Sequence, residues 1–177
     1  SLSPVKPQAA IDNTYRNVGK LKSILTGLGL DEVITYSMLD IKSLPGYWDD
    51  EKGLVFIQTP LSEDQSVLRP VLMPGVARAV AYNIRQQQEY VAVFEIAKTF
   101  QKKGGALAEA YHVCAALCGA KSVWIESEKK HRTDIPGFLH LKGMAAVIFE
   151  RLGISRFEFI PLSADCVDLR IAGKPAG

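Results

Sequence analysis

Cysteine is scarce in this chain of 177 residues: Cys114, Cys118 and Cys166 are the only three. An odd number with no CxxC spacing argues against a disulfide framework and against a structural zinc site. Cys114 and Cys118 lie four apart in a strand-like run and share one face, so they read as packed thiols of a reduced, cytoplasmic protein. A strong charge of one sign is also lacking. The formal net charge is +2, and the basic residues form no stripe of the kind that marks nucleic-acid binding. Lys98, Lys102, Lys103 and the run from Lys129 to Arg132 come nearest to one and read as solvated loop faces. No apolar run approaches the length that spans a bilayer, so no membrane association is expected.

Signatures of chemistry are equally sparse. There is no glycine-rich loop to cradle phosphates, and Gly104-Gly105 alone is too little. His112 and Cys114 share a strand face without metal-ligand spacing, and Ser62 and Ser66 sit in turn material with no neighbouring base. Asp49, Asp50 and Glu51 read as a solvated loop. No internal repeat or low-complexity tract is visible. The chain does not start with methionine, and Gly177 directly follows a strand-like run. The expectation is a piece excised from a longer protein, with any leader outside these residues.

Hydrophobic residues make up 47% of the chain, enough for a core without staples. Residues 1–10, with Pro4 and Pro7, read as an extended lead-in, and residues 11–177 as one domain. Ile11, Tyr15, Val18, Leu21, Leu25 and Leu28 recur at spacings of three and four, which predicts a helix opened by Asp12, Asn13 or Thr14 and closed at Gly27 and Gly29. The β-branched and aromatic run Asp31 to Met38 predicts a strand, and Leu54 to Gln58 a short one. A second helix is expected past Pro70 or Pro74, then a strand from Tyr90 to Phe100 and another from Tyr111 to Leu117 across a reversal at Gly104-Gly105. Lys121 to Ile135 is charged, lacks periodicity, and reads as a long loop. A third helix follows Pro136-Gly137, with Leu141, Ala145, Ile148, Phe149 and Leu152 on one face, and the last strands fall at Arg156 to Ile160 and Val167 to Ile171. Strands joined by hairpin-length connections predict an α+β fold, an antiparallel sheet with helices on one side.

Three stretches resemble one known family. The segment GLGLDEVITYSM follows the first helix, as a similar helix, glycine turn and strand do there. The most specific stretch is LSEDQSVLRPVLMPGVARAVAYNIRQ followed by VAVFEIAKTF. The third is Phe138 to Gly143, followed by the helix that ends at Gly153. Together they resemble the degenerate class II aminoacyl-tRNA synthetase core in the β subunit of phenylalanyl-tRNA synthetase. There are departures: Thr59 stands where the family often has Asn, Ala97 replaces a Gly, and His140 replaces an acidic residue. The turn that the family carries before its last strand is not visible around Ser163 to Cys166.

The resemblance implies an antiparallel class II core, and it implies a loss. Active class II cores follow the second-signature strand with an Arg-x-Glu pair that grips ATP and amino acid, whereas here the strand runs into Gln101-Lys102-Lys103. A second arginine is expected from a Gly-rich strand-to-helix segment. The only candidate, Gly153-Ile154-Ser155-Arg156, runs from helix to strand instead. Adenylate formation needs cationic groups aimed at phosphates. The segment is therefore expected to hold no catalytic, cofactor or metal site of its own, while ATP and Mg are implied for the holoenzyme. Arg69 and Glu95 read as structural polar contacts, Glu95 pointing opposite to its neighbours Phe94 and Ile96, with a remnant ligand pocket as the other reading. The implied partners are the synthetase α subunit in an (αβ)2 assembly and tRNA through that assembly. Tyr15, Val18, Leu21, Ile24, Leu25 and Leu28 are the candidate interface, because Tyr15 and Ile24 widen the apolar face of the first helix. Two other functions stay open on sequence: a divergent class II synthetase with its own adenylate site, and a tRNA-binding module.

Overall fold

A computed structural model describes residues 13–134, 137–163, 166–171 and 174–175. The lead-in, the Pro136 helix start and the turn at Gly173 lie outside the described residues. Helix α1 (Asn13–Gly27) forms as its periodicity predicts. It closes where Leu30 donates its N–H to the Leu25 carbonyl at 3.2 Å, around Gly29 at φ +85°, a left-handed conformation that a Cβ would penalise.

The strand expected from Asp31 to Met38 does not form as one piece. Strand β1 (Asp31–Glu32) and strand β2 (Met38–Leu39) are separated by an unpaired stretch. Strand β3 (Val55–Phe56) and strand β4 (Val67–Leu68) follow, and β4 lies between β2 and β3 in a small antiparallel sheet. Leu39, Leu44, Leu54 and Val67 close a cluster there against Trp48. Propensity marks the whole run 31–38 as extended, but propensity says nothing about partners, and here they differ at the two ends.

Helix α2 (Met73–Arg85) carries Pro74 in its first turn. The long hairpin of β5 (Tyr90–Lys103) and β6 (Ala106–Gly119) turns at Gly104 and Gly105, both at positive φ, and each strand outruns its sequence estimate. Strand β1 pairs with β5 in parallel, a departure from the all-antiparallel expectation. The charged run expected as a loop is a second hairpin, β7 (Lys121–Ile125) and β8 (Lys130–Asp134). Its turn places Lys129 at φ 45°, a conformation usually signalled by Gly or Asn, so the sequence carries no turn signal there. Helix α3 (Phe138–Leu152) ends on Gly153 at φ 79°. Strands β9 (Phe157–Ser163), β10 (Cys166–Ile171) and β11 (Lys174–Pro175) form a third antiparallel sheet with β10 in the middle.

Strand β5 organises the molecule. Ala92, Phe94 and Ile96 face one side, packing with Leu25 and Leu30 against Val18 and Leu21 of α1 and Met144 and Ile148 of α3. Val91 and Val93 face the other side, against Val76 and Val80 of α2. Helices thus flank the sheet on both faces rather than one. The run Val91 to Ile96 shows why: its residues are buried without alternation, as in a strand covered on both sides.

Candidate functional site

Arg69 and Glu95 meet in a buried ion pair. Arg69 follows β4 and Glu95 lies in mid-β5, on the α2 face opposite Phe94 and Ile96. The Arg69 Nη1 to Glu95 Oε1 distance is 2.8 Å, and the two residues are only 4% and 2% exposed. Thr35, from the stretch between β1 and β2, completes the group. Its N–H donates to Glu95 Oε1 at 3.1 Å and its hydroxyl to Oε2 at 2.8 Å. Arg69 Nη1 also lies 3.3 Å from the Thr35 carbonyl and 3.1 Å from its hydroxyl, and Nε donates to the Lys98 carbonyl at 3.0 Å. Both carboxylate oxygens and four acceptors around the guanidinium are thereby used inside the protein. Hydrogen bonds of this kind around a charge pair are what let it stay buried.

The local chain explains the arrangement. Strand β1 leaves β5 after Val33 donates its N–H to the Phe94 carbonyl at 2.8 Å. Arg69 takes over that edge: its carbonyl accepts from Phe100 N–H at 2.9 Å and its N–H reaches the Ser37 carbonyl at 2.9 Å. The freed Thr35 is pressed against the first turn of α2, where a Cβ on Gly75 would come within 2.4 Å of the Thr35 hydroxyl. Thr35 and Gly75 are the members that the sequence reading missed. A threonine in a β-branched run and a glycine after a helix-starting proline give no sign that they touch.

Beside this floor lies a groove of about 490 Å³ lined by Tyr47, Trp48, Met73, Gln101, His112 and Cys114 among others. Cys114 faces Glu95 across the hairpin, and its thiol is pushed up to about 11, by burial first and by the Glu95 carboxylate second. His112 Nδ1 lies 2.8 Å from the Thr99 hydroxyl. No residue lining the groove is lysine or arginine. Lys98 instead pairs with Glu109 at 2.9 Å and sits over the Tyr111 ring, while Lys102 and Lys103 are exposed at the end of β5. Among the described residues no group of three His, Cys, Asp or Glu could hold a metal ion. The residues present therefore do not fit a magnesium triphosphate, which needs cations or carboxylate-held metal around it.

The candidate interface residues of α1 divide. Leu25 lies in the core at 1% exposure and Ile24 is buried, while Val18, Leu21 and Leu28 pack half-buried against that core. Tyr15 alone among them projects, at 86% exposure.

This overall fold is also found in solved synthetases. Desulfitobacterium hafniense PylSc, a pyrrolysyl tRNA synthetase, matches with TM-score 0.66 and 19% identity over 92% of this chain and 54% of that one. An ATP phosphoribosyltransferase regulatory subunit/histidyl-tRNA synthetase from Bacillus halodurans matches with TM-score 0.59 and 13% identity over 89% and 40%. The fold is that of a class II aminoacyl-tRNA synthetase core. Within that class, the chain belongs to the family described as phenylalanyl tRNA synthetase beta chain CLM domain, which matches residues 3–167. The phenylalanine–tRNA ligase beta subunit of Lactobacillus acidophilus is 33% identical over 135 residues, and that of Bacillus licheniformis 34% over 140. The chain spans 16% and 17% of the length of these two curated relatives, and 76% and 77% of its own. No helix among the described residues is long and apolar enough to cross a membrane.

Proposed function

We propose that this chain is the non-catalytic core of a phenylalanine–tRNA ligase beta subunit. It supports assembly with a catalytic α subunit in an (αβ)2 cytoplasmic enzyme that ligates phenylalanine to its tRNA, with ATP and Mg acting in that holoenzyme. One observation carries the reading. Nε and Nη1 of the guanidinium on the floor of the sheet are engaged by Lys98, Thr35 and Glu95, and the adjoining groove is lined by no other arginine or lysine. A ligase pocket has become a structural joint.

Partner contact falls to α1 in this proposal. Its inward residues hold the chain's own core, and Tyr15 offers an exposed aromatic anchor of the kind that dominates interfaces. Binding of this chain to a phenylalanine–tRNA ligase α subunit, measured by calorimetry, tests it. Tyr15→Ala is expected to weaken association by about 2 kcal/mol while leaving the unfolding midpoint unchanged. Unchanged association would move the interface elsewhere. Salt-dependent binding of tRNA by the chain alone would favour an RNA-binding module instead.

A further inference from the structure

Two sulfur atoms meet on the α2 face of the hairpin. The Cys114 thiol donates to the Met73 thioether, with Sγ and Sδ 3.9 Å apart. One comes from β6 and the other from the first residue of α2, 41 positions away in the chain. Both line the groove beside the Arg69–Glu95 pair, and His112 lines it with them. His112 and Cys114 are alternate residues of β6, so they share a face about 7 Å apart along the strand. Alone along the chain they have no metal-ligand spacing. The fold adds a third donor, a methionine from another element.

The arrangement suits a small, soft cation. An ion with three ligands and metal–sulfur bonds of about 2.3 Å holds two sulfurs about 4 Å apart. Thiolate and thioether are soft donors that select Cu(I), whereas zinc and magnesium sites are built from thiolate, imidazole and oxygen. His112 Nδ1 is 2.8 Å from the hydroxyl of buried Thr99, which leaves Nε2 as the remaining ring nitrogen. Ligating histidines are held in this way, one nitrogen on a hydrogen-bond partner and the other on the metal. Met73 is half-exposed and Cys114 half-buried, so an ion can reach both sulfurs from the groove. No lysine or arginine lines that groove to repel it.

We propose that Cys114 Sγ, Met73 Sδ and His112 Nε2 form a binding site for one cuprous ion. Burial and the Glu95 carboxylate keep the free thiol protonated, so the ion displaces that proton to solvent as the copper–sulfur bond forms. No electron is transferred. Thiolate and cuprous ion cancel in charge, so the site stays neutral beside the buried ion pair. The inference does not depend on the function proposed above.

Competition for Cu(I) between the reduced 177-residue chain and the chelator bicinchoninate is the test. The first equivalent is expected to bind at least roughly tenfold more weakly in Met73→Leu and in Cys114→Ser than in the parent chain. Met73→Leu conserves volume at a half-exposed position, so its urea midpoint should match the parent. X-ray absorption of the parent chain with one equivalent is expected to show two sulfurs and one nitrogen around copper, a readout that needs no variant. Equal affinity in Met73→Leu overturns the proposal, because it would mean an adventitious thiol complex only, at Cys114, Cys118 or Cys166. A copper environment with no thioether sulfur, or with no imidazole nitrogen, overturns it as well.

Discussion

Arg69 has the chemistry of a ligand clamp and the surroundings of a rivet. A planar guanidinium suits phosphate or carboxylate equally well. What decides its use here is that Glu95 and Thr35 reach it first, in a site closed to solvent. Removing one member leaves the other charge buried and unpaired. Arg69→Met is expected to destabilise the chain by about 3–5 kcal/mol in urea unfolding, whereas Arg69→Met combined with Glu95→Leu should recover most of that loss. Equal losses in the single and double variants would mean that packing, not charge, holds the site. Cys114 offers a pH handle. Its thiol is raised from 9.0 to about 11 in the fold, so the unfolded chain ionises first. Stability from this group is complete below about 9 and falls as pH rises toward about 11. Cys114→Ala should flatten that part of the stability profile, and exposed Cys166 should alkylate well before Cys114.

Elements meet here through small residues and shared edges. Gly75 lets α2 descend onto Thr35, and Thr35 in turn holds Glu95. Gly75→Ala is expected to displace Thr35 and cost about 1–3 kcal/mol, read from a lowered urea midpoint, although alanine is the better helix former. A stabilised variant would show that α2 can shift without loss. The same elements show what could be read in advance. The periodic apolar faces of α1, α2 and α3 and the hairpin glycines are local signals, and each element stands where its residues put it. The position of Glu95 opposite Phe94 and Ile96 was likewise legible from alternation alone. Partners were not. The break in the run 31–38 depends on Arg69 occupying the β5 edge, some thirty residues further on. The β7–β8 hairpin depends on Lys129 accepting a positive φ that no residue type announced. Covering of both faces of β5 was written in its unbroken apolar run, but that run also fits a buried helix segment.

Across the whole molecule, the class II core has kept its sheet and its flanking helices while its floor has turned inward. Its core converges on β5 from both faces, and the inward residues of α1 hold one of them. Leu25→Ala should lower stability by about 2–5 kcal/mol, whereas Tyr15→Ala, at an exposed position, is expected to leave it unchanged. Titration of the folded chain with ATP and magnesium, followed by calorimetry, tests the inward-turned floor most directly. No saturable heat is expected into the millimolar range. Saturable binding that vanishes in the Arg69→Met, Glu95→Leu double variant would show the guanidinium free to hold phosphate, and would contradict the account.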